Sequence, residues 1–306
     1  METRRLQLIG GSSFMVSLPK NWVKENDLKQ GDDIVLNVDG SEINLSPKKF
    51  ERESIKRVYV KKIMKYDKEY LFRFILSLYL QGFDEVVIQD VAITAPVVIN
   101  ISEIAKNFIG VEVMQAGDDG VIVKCLTVPE VDSLTLLLRM GEIVSGIIDS
   151  IDNAIMFKDH GELETVQKLE KDSDRLYYLI KRYENKLEIN SDDRTVARVL
   201  EEISDSLTTL AIDIKDLEVA SDILILLREM KEVFQSAFQS YIESDLESAE
   251  DTMINLSNLQ NRIATSRYPL RGTYSCIKSL GETAFNKAVV GSVDGVGNGN
   301  KNNVND

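Results

Sequence analysis

Apolar positions in the first fifty residues alternate rather than recur at helical spacing. Arg4 to Leu8 and Phe14 to Leu18 are short alternating or apolar runs around Gly10, Gly11, Ser12 and Ser13, which predicts a hairpin. Pro19 ends the second run, and Trp22, Val23 and Leu28 then fall at helical spacing over Lys20 to Leu28, closed by Gly31. Ile34, Leu36 and Val38 alternate again, Asp39-Gly40 supplies a turn, and Ile43 and Leu45 resume the alternation before Pro47. A ββαββ unit this small buries little surface alone, so pairing with a second copy or with the rest of the chain is expected.

The pattern then changes period. Ile55 to Ile63 reads as a strand, Glu69 to Leu80 as a helix striped by Tyr70, Leu71, Phe74, Ile75, Leu78 and Tyr79, and Glu85 to Ile88 as another strand. Val97 to Phe108 predicts a second helix. Val111 to Met114 and Val121 to Cys125 predict a hairpin around Gly117, Asp118, Asp119 and Gly120. A small βαβαββ layer follows, with the aromatic stripe on its sheet. It contains no Gly-x-x-x-x-Gly-Lys loop and no strand followed by Gly-x-Gly-x-x-Gly, so a nucleotide site is not expected there.

From Val131 to about Val290 the helical period dominates. Leu137, Met140, Ile143, Val144, Ile147, Ile148 and Ile151 share one stripe of a long helix, and further helices are predicted at about 161–187, 193–217, 219–243, 246–265 and 272–290. Register suggests repetition. Met140, Ile143 and Ile147 match Met230, Val233 and Ala237 at a shift of 90; Val166, Leu169 and Leu176 match Met253, Leu256 and Ile263 at 87; Ile203 and Ala211 match Leu280 and Ala288 at 77. Two three-helix bundles in tandem are expected. The fold class is therefore α+β, mainly α, with domains at 1–50, 51–128 and 129–290 and a disordered Gly- and Asn-rich tail at 291–306.

Charge sharpens this division. The 306 residues carry 36 Lys and Arg against 50 Asp and Glu, a net of −14. Residues 1–65 hold 13 basic against 9 acidic side chains, net +4, which leaves 23 against 41, net −18, for the remainder. Lys48, Lys49, Arg52, Lys56, Arg57, Lys61, Lys62 and Lys65 form a basic stripe, readable either as a solvated connector or as a surface for a polyanion. No long uncharged stretch predicts a membrane span, and Met-Glu-Thr-Arg-Arg lacks the apolar core of a signal peptide, so a cytoplasmic location is expected. Cys125 and Cys276 stand apart and His160 is the single histidine, which excludes a zinc site of Cys/His type within one chain and a Glu-x-x-His di-iron oxidase.

One chemical constellation stands out in the bundles. Glu170 and Asp174 are four apart on the second predicted helix, and Glu201 and Asp205 repeat that spacing on the third. Many such pairs are solvated faces, since acidic residues are abundant here. Equivalent places on consecutive helices of one repeat set these two apart, because four carboxylates there repel unless a proton or cation lies between them. Hard oxygen ligands suit magnesium, manganese or iron, so a divalent or iron-type ion in the first bundle is expected. At the shifts above the pairs become Ser257/Asn261 and Lys278/Glu282, so the second bundle should lack the site.

The N-terminal residues resemble the SpoVT/AbrB family of swapped-hairpin DNA-binding domains: Ser17-Leu18-Pro19-Lys20, Trp22, Leu28-Lys29-Gln30-Gly31-Asp32, Ile34 and Leu36. That resemblance implies an interlocked dimeric barrel reading DNA through Arg4, Arg5 and Lys20. Adjacent strand positions face opposite ways, so Arg4 and Arg5 are not expected to do one job. The Glu-x-x-x-Asp pairs in tandem bundles resemble the PhoU family of phosphate-signalling regulators, including archaeal relatives with an AbrB-like domain ahead of the bundles. This implies a non-enzymatic regulator of phosphate uptake, a homodimer, with DNA as partner. A PhoU-like adaptor docked on a phosphate transporter or signalling kinase without DNA stays open, and a two-metal hydrolase remains formally possible though no nucleophile stands beside the carboxylates.

Overall fold

The computed structural model describes residues 4–9, 13–39, 42–47, 55–117, 120–126, 131–159, 161–184, 189–214 and 222–293. Contacts divide the chain into two compact units, Met1–Ile55 and Lys56–Asp306. In the first, β1 (Gln7–Ile9) pairs antiparallel with β2 (Ser13–Met15), α1 (Lys20–Glu25) follows, and β3 (Ile34–Asp39) pairs antiparallel with β4 (Glu42–Pro47). The described strands of one copy form two separate two-stranded sheets rather than a closed barrel. Strand β1 begins at Gln7, later than the pattern predicts, because its register ends where Gln7 meets Met15. Helix α1 stops at Glu25, three residues short of Leu28. Asp27 takes a φ of 50° there, and the Asn26 side-chain amide donates to the Trp22 carbonyl at 2.8 Å.

In the second unit, β5 (Arg57–Val60), α2 (Lys68–Leu80), β6 (Glu85–Ile88), α3 (Ala95–Ala105), β7 (Val111–Gly117) and β8 (Gly120–Cys125) build an α/β layer. Its sheet order is β5-β6-β8-β7, parallel only between β5 and β6. Strand β5 is shorter than the expected 55–63, since Ile63 leaves the ladder and donates its N–H to Asp90 at 2.7 Å. Asp67 caps α2 by accepting from Tyr70 N at 2.9 Å. The aromatic stripe of α2 joins Val97, Ile101 and Ile104 of α3 in a core against one sheet face.

Six further helices follow among the described residues: α4 (Ser133–Phe157), α5 (Gly161–Tyr183), α6 (Ser191–Ile214), α7 (Asp222–Glu243), α8 (Leu246–Thr265) and α9 (Arg271–Ser292). Asp132 caps α4 and Asp245 caps α8. Asn190 accepts from Asp193 N at the start of α6, and Lys158, at φ 53°, ends α4. Helices α4, α5 and α6 pack on one another, as do α7, α8 and α9; α4 then meets α7 and α6 meets α9, giving one continuous core. Gly141 is required at the first of these crossings: a Cβ there would lie 2.4 Å from the Phe238 ring.

Helix α9 runs through Gly291 and Ser292, two residues into the stretch expected to be tail; residues 294–306 lie outside the described residues, as do His160, the Gly10 to Ser12 turn, Gly40, Asp118, Asp119 and the stripe positions Lys48, Lys49 and Arg52. Among the described residues no helix is long and apolar enough to cross a membrane.

Candidate functional site

Helix α5 carries Glu170 and Asp174 one turn apart, and α6 carries Glu201 and Asp205 with the same spacing. One carboxylate oxygen each from Glu170, Asp174 and Asp205 lie within 4.8 Å of one another. Glu201 falls outside that mutual set yet shares its field. Burial first, then the charges of Asp205 and Asp174, pushes its carboxyl up to about 7. Asp174 is pushed up to about 7 by burial, then by Glu170 and Asp205. Glu170 is raised by burial and Asp205, and Asp205 by burial and Glu202.

Lys171 partly offsets the charge of Glu170 and Arg198 that of Glu201, and three cations close by in sequence also hold ion pairs of their own. Arg175 pairs with Asp172 at 3.5 Å, Lys181 with Glu184 at 2.9 Å and Arg198 with Glu202 at 2.8 Å. The cluster thus concentrates negative charge where Glu170 and Asp174 are partly buried and Asp205 is exposed, and nearby cations offset it only in part. Oxygens on opposite sides of a hard cation with bonds of 2.0–2.6 Å are about 4–5 Å apart, so the three oxygens have both the chemistry and the spacing to hold one. The hydroxyls of Ser173 and Ser204, each next in sequence to a cluster carboxylate, are fully buried and have no hydrogen-bond partner among the described residues.

One participant was not singled out from sequence. Tyr178 donates its hydroxyl to Asp174 Oδ2 at 3.4 Å, and its ring lies 6.0 Å from Phe108 in the α/β core. The signal was its place four residues after Asp174. Four residues further on, Arg182 is buried; it donates to the Tyr79 carbonyl at 2.7 Å, the Phe83 carbonyl at 3.0 Å and Asp84 Oδ1 at 2.7 Å. In the second bundle Ser257 and Asn261 are exposed, and Lys278 pairs with Glu282 on its own helix at 3.7 Å. No second carboxylate cluster of the same kind occurs among the described residues.

The basic candidates lie in the first unit. Arg4 and Arg5 precede β1 and Lys20 opens α1 behind Pro19; all three are exposed. Because Arg4 and Arg5 are not strand residues, the expected opposition of their faces does not follow from a pleat. The basic stripe is broken up in the second unit. Arg57 pairs with Glu85 at 2.6 Å, and Lys56 Nζ donates to the Gln81 carbonyl at 2.5 Å and lies over the Phe83 ring. Lys61, Lys62 and Lys65 are exposed.

None of the described side chains in Met1–Ile55 is buried, and Leu6, Leu8, Phe14, Leu36 and Ile43 are each 59–69% exposed. A family model described as Antidote-toxin recognition MazE, bacterial antitoxin, matches residues 7–53. No curated protein and no solved structure matches the chain significantly. The N-terminus therefore carries an AbrB/MazE-like domain, consistent with a DNA-binding regulator and with dimerisation; the match covers that segment alone.

Proposed function

We propose that the chain is a non-enzymatic, DNA-binding regulator of phosphate uptake that works as a homodimer. The observation that carries this reading is the first unit: an AbrB/MazE-like segment in which none of the described apolar side chains is buried within one copy. A second copy is the economical cover for such side chains. Lys20 at the start of α1 is unfavourable for the helix itself, since its charge opposes the positive helix end, and is better suited to a phosphate backbone. The phosphate connection rests on the PhoU-like placement of Glu170, Asp174, Glu201 and Asp205, which in this reading hold a divalent or iron-type ion in the first bundle. Such an ion would supply charge compensation between α5 and α6; the two serine hydroxyls and Tyr178 border the carboxylates in sequence or by hydrogen bond.

The test is DNA binding by the full-length protein, against random and native upstream fragments at several salt concentrations. Three basic side chains in each of two copies give about six phosphate contacts and a slope of log affinity against log salt near −5. Arg4→Ala, Arg5→Ala and Lys20→Ala together should abolish binding and leave the dimer mass unchanged. Absence of binding by the unaltered protein at low salt would overturn the DNA reading in favour of an adaptor for a phosphate transporter or kinase. Retained affinity in the triple variant would overturn the residue assignment.

A further inference from the structure

Among the described residues, the second face of the four-stranded sheet takes no part in the α/β core. Val58, Val86, Val123 and Val113 side with α2 and α3. The alternate residues make two rows across the strands. Register sets Arg57 beside Glu85, Glu85 beside Lys124 and Lys124 beside Glu112, so from β5 to β7 the first row reads plus, minus, plus, minus. Glu85 sits between its two cations, 2.6 Å from Arg57 and 2.9 Å from Lys124. The second row runs Tyr59, Val87, Ile122 and ends at a bulge where Met114 is the extra residue before Gln115. Tyr59 is 57% and Met114 54% exposed, whereas the central Val87 and Glu85 are 9% and 5% exposed. Tyr59, Val87 and Ile122 belong to neither apolar core among the described residues.

An alternating row of even length is complementary to itself under one symmetry operation. A two-fold axis between two such faces, parallel to the strands, reverses the strand order. It sets Arg57 over the partner's Glu112, a contact occurring twice, while Glu85, 5% exposed, stays held by Arg57 and Lys124 of its own chain. The perpendicular two-fold axis in the same plane sets like over like. The first arrangement also brings Tyr59 over the partner's Met114, an aromatic ring on a thioether. We propose that this sheet face docks on the same face of a second copy of the chain, about a two-fold axis parallel to the strands.

The outer strands are only about 14 Å apart at the usual strand spacing. The face is thus well short of the roughly 800 Å² per partner of a stable interface. It closes between chains already paired through the first unit, where linkage raises the effective concentration to about millimolar. In that respect it rests on the homodimer reading above.

The experiment uses the full chain with Cys125→Ala and Cys276→Ala, then adds Tyr59→Cys with Met114→Cys and a short bismaleimide. Sedimentation gives the mass before linking, and a denaturing gel gives the linked fraction. The expected result is a dimer mass and a covalent dimer. Adding Glu112→Lys, which sets cation over cation at both ends, should slow linking about tenfold. Adding Arg57→Glu as well should restore it, because the row is again self-complementary and Glu85 keeps Lys124. A dimer mass without covalent dimer, or linking indifferent to Glu112→Lys, overturns the docking face alone. A monomer mass overturns both the face and the pairing on which it rests, while DNA affinity is measured separately.

Discussion

Arg182→Met should destabilise the second unit far more than any exposed ion-pair variant. The Arg182 side chain is 1% exposed and its partner Asp84 17% exposed. The substitution keeps the stem volume but removes two hydrogen bonds to carbonyls, the ion pair, and the cation stacked 4.8 Å from the Tyr79 ring. Removing one member of a buried pair costs about 3–5 kcal/mol. Two features favour the lower end. Asp84 keeps a hydrogen bond from Lys56 N at 2.9 Å, and the buried Nε of Arg182 has no partner, so the native arrangement already carries a desolvation cost. A loss of about 3 kcal/mol corresponds to a fall of about 6–12 °C in Tm for a unit of this size. Thermal and urea unfolding followed by far-ultraviolet circular dichroism on the full chain would measure it. Arg73→Met, breaking an Arg73–Glu69 pair whose side chains are 63% and 78% exposed, is the control and should cost under about 1 kcal/mol. Arg182→Met with Asp84→Asn should recover part of the loss by removing the carboxylate charge that Arg182 had balanced. Equal Tm values for Arg182→Met and Arg73→Met would refute the reasoning.

Gly141→Ala should lower Tm despite a helix-propensity gain of about 1 kcal/mol, because overpacking typically costs about 1–3 kcal/mol and the added Cβ would meet the Phe238 ring at 2.4 Å. Phe238→Leu in the same chain should relieve it, and equal Tm for single and double variants would count against that contact. Glu170→Gln with Asp205→Asn should reduce bound metal in elemental analysis; unchanged stoichiometry would return these carboxylates to a solvated face. In chelator-treated protein, Asp174 and Glu201 titrate near 7 when folded and near 4 when unfolded, so between those values the folded state holds more protons. Their contribution to stability is full below about pH 4 and is lost as pH rises through about 7. Tm should therefore fall from pH 5 to pH 8, less so in Asp174→Asn with Glu201→Gln, and recover at high pH when the cation is added. A Tm that rises over that range in the unaltered protein would contradict this.

Helix periods were legible because they are long: the stripe through Met140, Ile147 and Ile151 leaves little freedom, whereas the caps at Asp132 and Asp245 became evident only in the structure. The first unit was harder. Its runs were alternating as expected, but β1 is shortened by where pairing with β2 ends, and strand ends depend on partners that sequence alternation does not specify. In the site, Glu170, Asp174 and Asp205 came together because α5 and α6 are neighbours in register. Glu201 is set slightly apart, a matter of side-chain direction that i,i+4 spacing leaves open. The Arg182 contacts span about a hundred residues of sequence, to the turn after α2, and no local pattern announces them.

Asp174, Tyr178 and Arg182 lie at successive four-residue steps of one helix, and so α5 is keyed at two levels about 12 Å apart. Helical phase is thereby a shared coordinate of the carboxylate cluster and the α/β layer. Inserting a single alanine between Tyr178 and Arg182 would advance everything beyond it by 1.5 Å and turn it by about 100°. Either the guanidinium leaves Asp84 or the carboxylates leave α6, since one rigid rod cannot satisfy both. Insertions of four residues, which restore the phase to within about 40° at a cost of 6 Å in length, would be the less damaging class. The tolerated lengths of α5 are in this sense quantised by its two anchors.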